Sequence, residues 1–232
     1  MIEGVHAVTT LGLDALGRNA ACKDPNCYAQ LITTTRGDDA IILIGQCYCS
    51  GIVSVTDSSG LVFAQRLSSV QAGLWEYYAR AVSPLRSDNI TVVFATQPNM
   101  CLCGFFSGIQ ALAIHGANTG VVFDQNPSIP ATILCPSGQP IFVTCSASIQ
   151  ASTMDFVIAS TAINDAGPCQ VTQGIGEVSG FTTITTNQGF GASFEVDYAI
   201  VNASSNVVFN CNGTDPVAIV MDAVSFHRAF GI

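Results

Sequence analysis

Short apolar segments of strand length, separated by turn-forming residues, run through the whole sequence. Val, Ile, Thr and Phe are concentrated in these segments, whereas Gly, Asn, Asp, Ser and Pro cluster between them, as in DSSG at residues 57–60. The apolar periodicity of an amphipathic helix is almost absent. Regularly spaced short strands are typical of a β-sandwich or barrel, and we therefore predict an all-β fold.

The alternation of apolar runs and turn clusters predicts fourteen strands between residues 28 and 226. They cover residues 28–34, 39–44, 51–56, 61–66, 74–81, 89–95, 102–110, 141–145, 155–160, 170–174, 182–186, 193–201, 206–210 and 217–226. A further strand-like segment, residues 4–13, precedes them. It is expected either to complete the chain's own sandwich or to add to the sheet edge of a neighbouring copy.

The same pattern excludes a transmembrane helix, although the mean hydropathy is high at +0.45. A spanning helix needs about 20 consecutive apolar residues. The longest uninterrupted apolar runs, such as residues 40–44 (AIILI), have only the length of a strand. The first residues have no basic region and no long apolar core, so they are not expected to form a signal peptide. Either the protein is intracellular, or a signal was removed upstream of Met1.

Charged residues are scarce: they make up 10% of the chain, with seven Lys+Arg, sixteen Asp+Glu and a net charge of -9. Nucleic-acid binding requires a basic footprint, so nucleic acid is not an expected partner. Anionic membrane surfaces are disfavoured for the same reason. Soluble monomers normally display about 25–35% charged residues on their surface. The deficit indicates that part of the surface is covered by subunit contacts, by glycans or by both.

Ten cysteines, an even number, predict disulfide bonds and an oxidising, extracellular compartment. We expect five intramolecular bonds. Three are predicted as Cys22–Cys27, Cys135–Cys145 and Cys169–Cys211, and the other two join Cys47 and Cys49 to Cys101 and Cys103 in an order that the sequence leaves open.

The two C-x-C pairs, Cys47/Cys49 and Cys101/Cys103, also raise the possibility of a zinc or iron–sulfur site. Both pairs lie in strand-like surroundings, where residues two apart are separated by about 6.6 Å. That spacing is too wide for two ligands of one tetrahedral ion unless the strand kinks. It suits disulfides to a neighbouring strand instead, so we predict no metal and no cofactor.

Three tripeptides match the N-glycosylation pattern, which again favours export. The acceptor residues are Asn89, Asn202 and Asn212. Glycans attached there would make the protein a glycoprotein.

A faint internal repeat relates the two halves of the chain. DAII at residues 39–42 resembles DFVI at 155–158, and LWEYYA at 74–79 resembles FEVDYA at 194–199, with offsets of 116 to 120 residues. Two such half-motifs closing on one core would form a jelly roll. We therefore expect an N-terminal strand or extension at residues 1–27 and a single disulfide-rich jelly-roll sandwich at residues 28–232.

Six ordered segments carry a resemblance to a known family: ITTTRGDDAIILIG, VSVTDSSGLVFAQR, WEYYARAVSPLRSDNITVVF, IHGANTGVVFDQNPSIPAT, FEVDYAIV and VAIVMDAVSF. Together they resemble the jelly-roll, concanavalin-like domains of secreted and surface proteins of archaea and bacteria. That resemblance implies the fold and an extracellular location. It implies no chemistry, because such domains mostly have no assigned activity.

Two carboxylates on one predicted strand are the strongest candidates for catalysis. Glu195 and Asp197 would share a strand face and resemble the start of the E-x-D-x-x-E motif of jelly-roll glycosidases. The third acid of the motif is missing, and Glu76 is the expected counterpart in the first half. The histidines, residues 6, 115 and 227, follow no ligand spacing.

Aromatic residues suggest a sugar-binding platform on another strand. Trp75 and Tyr77 would share a face if the strand is regular, and they are possible carbohydrate contacts. Aromatic side chains of sandwiches more often fill the core.

Three functions follow from these observations. The first is a non-catalytic extracellular structural protein, a cell-surface or filament subunit that self-associates through strand or sandwich contacts. The alternatives are a carbohydrate-binding module with glycan partners and, third, a glycoside hydrolase. The charge deficit favours the assembling subunit, because a binding module or an enzyme normally has a fuller charged surface.

Overall fold

The computed structural model describes residues 10–22, 27–47, 51–95, 107–136, 143–164, 169, 180–188, 192–213 and 216–226. These residues form sixteen β-strands and no helix, which confirms the all-β prediction. The strands are β1 (Gly12–Leu16), β2 (Arg18–Ala20), β3 (Cys27–Ile32), β4 (Asp39–Cys47), β5 (Ile52–Thr56), β6 (Ala64–Ser69), β7 (Leu74–Ala81), β8 (Asp88–Phe94), β9 (Ser107–His115), β10 (Ala131–Leu134), β11 (Val143–Ala151), β12 (Phe156–Asn164), β13 (Thr182–Gln188), β14 (Ala192–Ile200), β15 (Ser205–Gly213) and β16 (Pro216–Val224). None of these residues belongs to a helix long and apolar enough to span a bilayer.

The strands form four sheets, which we number by their position in the stack. Sheet 1 has the order β2-β3-β8-β5, sheet 2 the order β1-β9-β4-β7-β6, sheet 3 the order β10-β16-β12-β14-β13, and sheet 4 consists of β11 and β15. Sheets 1 and 2 come from the first half of the chain, and sheets 3 and 4 come from the second. All strand pairings between described residues are antiparallel.

Three hydrophobic clusters separate the four sheets. The N-terminal core lies between sheets 1 and 2 and includes Ile32, Trp75 and Phe94. The C-terminal core lies between sheets 3 and 4 and includes Phe181 and Phe209. The third cluster, the middle core, joins sheets 2 and 3; it includes Ile42, Leu112, Phe156 and Val220. The molecule is therefore two β-sandwiches packed face to face.

The central strands of the two inner sheets explain the continuous apolar runs in the sequence. In β4, Ile42 and Ile44 face the middle core, whereas Ile41 and Leu43 face the N-terminal core. Successive side chains of a strand point to opposite faces, so a strand covered on both sides must be apolar at every position. All nine residues of β4 are buried. Burial of each large aliphatic side chain contributes about 1.5–3 kcal/mol.

The expectation that two half-motifs close on one core is wrong. Each half of the chain builds a sandwich around a core of its own, and the halves meet at the middle core. The physical reason is that each inner sheet is apolar on both faces. One face is buried within its own half, and the other must be covered by the second half.

The N-terminal residues are part of the first sandwich and not an extension that ends at residue 27. Leu11 is buried in the middle core, β1 pairs with β9, and β2 pairs with β3. Gly17 lies between β1 and β2, where the chain passes from sheet 2 to sheet 1. A Cβ atom at this position would collide with the side chain of Gln30. Gly12 and Leu13 of the predicted 4–13 strand pair within their own chain, and residues 4–9 lie outside the described residues.

Candidate functional site

Three disulfide bonds occur in the described part of the chain. They join Cys22 to Cys27, Cys135 to Cys145, and Cys169 to Cys211, with Cα–Cα distances of 5.9, 5.6 and 4.7 Å. These pairs are the ones that the sequence predicts. Cys145 and Cys211 are buried cross-strand neighbours in sheet 4, so two of the bonds fasten the C-terminal core.

The structure also bears on the two C-x-C pairs. Cys47, which is fully buried in the N-terminal core, is disulfide-bonded. Its partner, like Cys49, Cys101 and Cys103, lies outside the described residues. A cysteine held in a disulfide is not available as a zinc ligand. Among the residues that the structure describes, no three His, Cys, Asp or Glu side chains are grouped as a metal site.

Glu195 and Asp197 lie side by side on β14, and both face the C-terminal core. Each side chain is 1% exposed. The backbone N–H of Cys169 donates a hydrogen bond to Glu195 Oε2 at 2.7 Å, and Thr183 Oγ1 donates to Asp197 Oδ1 at 2.6 Å. The two carboxyl groups also interact with each other. The predicted shared face is therefore correct.

Burial changes the protonation of this pair. Burial and, second to it, the negative charge of Asp197 together raise the pKa of Glu195 to about 8, against the opposing effect of the Cys169 hydrogen bond. Burial also raises the pKa of Asp197, although the hydrogen bond from Thr183 opposes that rise. A protonated Glu195 beside an ionised Asp197 places one charge in the core in place of two. Both carboxyl groups are thus enclosed by their own sandwich.

Trp75 is not a sugar-binding platform. Its side chain is 3% exposed and packs edge-on against Phe94, with ring centroids 6.4 Å apart. Tyr77 lies on the same strand face, half-buried against the N-terminal core, and its hydroxyl donates to Gln65 Oε1 at 3.0 Å. The core interpretation of these aromatic residues is therefore the correct one.

The strand registers align the two halves residue by residue. Tyr78 pairs with Ile42 in sheet 2, as Tyr198 pairs with Ile158 in sheet 3. Both tyrosines pack against the middle core. They provide a common reference from which the other positions on β7 and β14 follow.

Counting from these tyrosines, Trp75 occupies the position of Glu195, and Tyr77 occupies that of Asp197. Glu76 corresponds to Val196, so the expectation that Glu76 is the counterpart of Glu195 is wrong. Glu76 faces the middle core, because residues one apart on a strand point to opposite faces.

Two further carboxyl pairs involve Asp39, the first residue of β4, and Asp155, which directly precedes β12. Asp39 is fully buried, and burial together with the nearby charge of Asp14 raises its pKa to about 7. Asp14 accepts hydrogen bonds from the backbone N–H and the hydroxyl of Thr35. In the second half, Asp124 interacts with the buried Asp155.

Sequence reasoning missed these pairs because their members are distant along the chain. The repeated aspartates of DAII and DFVI were the available signal.

The three candidate glycosylation sites differ in their surroundings. Asn202 is exposed in the connection between β14 and β15. Asn89 lies within β8, and its Oδ1 atom is buried. Asn212 lies within β15, but its side chain is outside the described part. Of the two acceptor side chains that the structure describes, Asn202 is the more exposed.

Acidic side chains are buried far more often than is usual in a globular protein. At least seven of the sixteen acidic residues are buried: Asp39, Glu76, Asp88, Asp155, Glu195, Asp197 and Asp222. Arg66–Asp222 is the one salt bridge between described residues. The surface is accordingly poorer in charge than the composition alone indicates.

The outer face of sheet 4 shows this depletion most clearly. Cross-strand pairing places Ser146 opposite Asn210 and Ser148 opposite Val208, and all four side chains are exposed. Ser146 Oγ donates to Asn210 Oδ1 at 2.6 Å. No described residue of this exposed face is charged. Apolar side chains are exposed elsewhere too, including Val62 at 85% and Val82 at 70%.

A cleft of about 980 Å³ runs beside β1 and β2. Polar side chains such as Asp14, Arg18 and Asn19 line it together with Leu31 and Ile184. Ile184 belongs to β13, so the cleft lies where an edge strand of sheet 3 approaches an edge strand of sheet 2.

Comparisons of the chain with protein-family models, with curated proteins and with solved structures gave no match. The all-β architecture and the disulfides thus stand on the structure alone.

Proposed function

We propose that the protein is a non-catalytic extracellular structural protein, a cell-surface or filament subunit that associates with copies of itself. The observation that carries this proposal is the burial of at least seven of the sixteen acidic residues. The exposed surface is left with few charges, and an uncharged surface promotes association.

The outer sheets are the surfaces best suited to such contacts. Sheet 4 exposes Ser, Asn and Gln side chains around Val208, and sheet 1 exposes Leu31 at 41% and Val53 at 66%. The exposed face of sheet 4, on which no described residue is charged, is able to pack against another sheet without desolvating charges, whereas on sheet 1 Arg18 lies opposite Leu31. Edge strands offer a second mode of contact, because β10 leaves one side unpaired and exposes Ile133 and Leu134.

The extracellular location is supported by the cysteines. Three disulfides and the additional bonded Cys47 require an oxidising compartment in most organisms. The exposed Asn202 in its glycosylation tripeptide fits the same location.

The sequence resembles jelly-roll domains of surface proteins, and we propose a jelly-roll-type fold on that basis. Sheets 2 and 3 have equivalent strand orders, with β4 and β12 at their centres and β7 and β14 beside them. These orders support two jelly-roll-type units in one chain.

Self-association is tested by placing single charges on the proposed surfaces. Sedimentation velocity and electron microscopy of the purified protein should show oligomers or filaments. Val208→Glu on sheet 4 and Val53→Glu on sheet 1 should reduce the assembled fraction, because each buries a charge in a contact. Val62→Glu, in the exposed connection before β6, is the matched control and should leave assembly unchanged.

The thermal unfolding midpoint of each variant shows whether the fold is retained. A wild-type protein that stays monomeric at high concentration would contradict the proposal. Equal assembly of wild type and both sheet variants would exclude the outer sheets as the contact surfaces.

Carbohydrate binding is the alternative proposal. Because Trp75 is buried, the cleft beside β1 and β2 is the better candidate for a glycan site. Saturable glycan binding that is lost in Arg18→Ala would favour the alternative. The third function, glycoside hydrolysis, would require turnover that is lost in Glu195→Gln.

A further inference from the structure

An ionic cluster lies where the two sandwiches meet. Arg66 of β6 forms two hydrogen bonds with Asp222 of β16, from Nε to Oδ2 at 2.8 Å and from the terminal nitrogen to Oδ1 at 3.2 Å. The guanidinium carbon lies 4.2 Å from the centroid of the Phe123 ring. Arg66 comes from the first sandwich and Asp222 from the second, so the ion pair crosses the middle core.

A β-bulge directs Arg66 into this position. The pairing of β6 with β7 shifts by one residue between Gln65 and Leu67, which leaves Arg66 as the extra residue. Bulges commonly re-aim a side chain in this way. The pairing of β13 with β14 shifts equivalently at Ile184, which packs against the middle core as an apolar side chain.

Glu76 is the third member of the cluster. It is 2% exposed, faces the same core as Asp222, and its Oε1 atom has no hydrogen-bond partner. The charges of Arg66 and Asp222 both act on it. Two carboxyl groups therefore share one guanidinium, and an additional buried negative charge would be costly.

The other ionisable groups near the cluster do not supply a second positive charge. Asp124 acts on Asp222 with a further negative charge, and Tyr78 lies on the same strand face as Glu76. Tyr198 faces the middle core from β14. The described residues of β4, β9 and β12 that face this core are uncharged.

We propose that Glu76 holds a proton across the neutral range and that loss of this proton opens the interface between the two sandwiches. The cluster then acts as a pH-sensitive lock within a single chain. At acidic pH the cluster contains one guanidinium, one carboxylate and one neutral carboxyl group. At higher pH a second carboxylate forms between the inner sheets, and the packing of sheet 2 on sheet 3 is weakened.

The electrostatics agree with this geometry. Burial raises the pKa of Glu76 well above its ordinary value, the charge of Asp222 adds to the rise, and Arg66 opposes it. Burial likewise raises the pKa of Asp222, whereas the hydrogen bond and charge of Arg66 lower it. The contribution of a protonated Glu76 is complete below its unfolded-state pKa and is lost as the pH rises through the folded-state pKa.

Hydrogen exchange measured by mass spectrometry tests the lock. Between about pH 5 and about pH 8, after correction for the intrinsic exchange rate, the opening constant of β7 and β16 should rise by up to about tenfold per pH unit, the effect of one proton. Peptides from the outer strands β8 and β15 should show a smaller rise. Glu76→Gln keeps the shape and removes this ionisation, so the rise in β7 and β16 should be less steep than in wild type.

Glu195→Gln is the matched control, because it removes a protonated carboxyl from the C-terminal core and leaves the interface intact. It should retain the rise in β7 and β16. The infrared band of protonated carboxyl groups at neutral pH should also be weaker in Glu76→Gln than in wild type. If Glu76→Gln does not fold, Glu76→Val, which copies Val196, serves for the same measurement. Wild-type exchange that is independent of pH in β7 and β16, or a rise that is as steep in Glu76→Gln as in wild type, would overturn the proposal.

Discussion

The two sandwiches of this protein share an arrangement of strands but fill it with different chemistry. At equivalent positions of the central strands, Trp75 and Tyr77 fill the N-terminal core, whereas Glu195 and Asp197 enter the C-terminal core. Strand order and register therefore do not require apolar residues at these two positions. Aromatic packing accommodates the occupants of one core, and hydrogen bonds to Glu195 Oε2 and Asp197 Oδ1 accommodate those of the other, where Asp197 Oδ2 has no hydrogen-bond partner among the described residues.

The hydrogen-bond partners of these side chains also differ between the two halves. Gln65 accepts the hydroxyl of Tyr77 in the first half, and Thr183, at the equivalent position, donates to Asp197 in the second. The C-terminal pair has one further donor, the backbone N–H of Cys169, which the disulfide to Cys211 holds against the sheet. The Cys169–Cys211 disulfide therefore helps to position a hydrogen-bond donor of the Glu195 and Asp197 pair.

Trp75→Glu should have the largest effect on stability, because it places a carboxyl group in the N-terminal core without a hydrogen-bond donor positioned for it. The change removes a buried aromatic side chain, at about 3–5 kcal/mol, and adds the cost of burying a carboxyl group. Since domains are stable by about 5–15 kcal/mol, the variant should be largely unfolded. Near-ultraviolet circular dichroism and denaturant titration check this. Trp75→Phe is the control, and a Trp75→Glu protein with a wild-type midpoint would refute the role given to Trp75.

Arg66→Ile copies the bulge residue Ile184 of the other half, and it isolates the buried Asp222. An uncompensated buried charge costs about 3–5 kcal/mol, which thermal or urea unfolding should show as lost stability. Leu112 occupies the position in the first half that is equivalent to Asp222. Adding Asp222→Leu, which copies that residue, should recover most of the lost stability. If the double variant loses as much stability as the two single variants together, Arg66 and Asp222 contribute independently and the stabilising role of their ion pair is contradicted.

Glu195→Gln tests the pH dependence of the polar core. Its pKa in the folded protein, about 8, lies above the ordinary value of a glutamate. The wild type should therefore lose about 1.4 kcal/mol of stability per pH unit from this group as the pH rises from about 4.5 to about 8. The variant should lose stability less steeply over that range. Denaturant titrations at several pH values measure the slopes, and equal slopes in wild type and variant would contradict the pH dependence given to Glu195.

The prediction with the smallest expected effect on stability concerns glycosylation, which should differ between the two halves. Expression in a host with N-glycosylation should modify Asn202, in its exposed connection, and leave Asn89, in β8, unmodified. Asn202→Gln should remove the glycan and change the unfolding free energy by less than about 0.5 kcal/mol, because the residue is exposed. Glycopeptide mass spectrometry decides the outcome. A glycan on Asn89 alone would mean that sheet 1 is more open than the structure shows.

The sequence contained the signal for the four-layer stack, although its pattern was open to another interpretation. An uninterrupted apolar strand such as β4 must be covered on both faces, and residues 40–44 and 217–221 are two such runs. Strand periodicity alone does not state what covers each face. The resemblance between the halves therefore predicted one shared core, whereas the structure contains three.

The sequence by itself determined the all-β class, the three disulfide pairs of the described residues and the common face of Glu195 and Asp197. Local alternation decides the class and the common face, and short separations of 5 and 10 residues favour the first two pairs, whereas Cys169 and Cys211 are 42 residues apart. Only the tertiary structure decided which acids meet, because Asp14 and Asp39, or Glu76 and Asp222, come together from distant strands. It likewise decided that Trp75 is core rather than surface. A strand has two faces that are equivalent in sequence, and only the packing of the next sheet gives each one its environment.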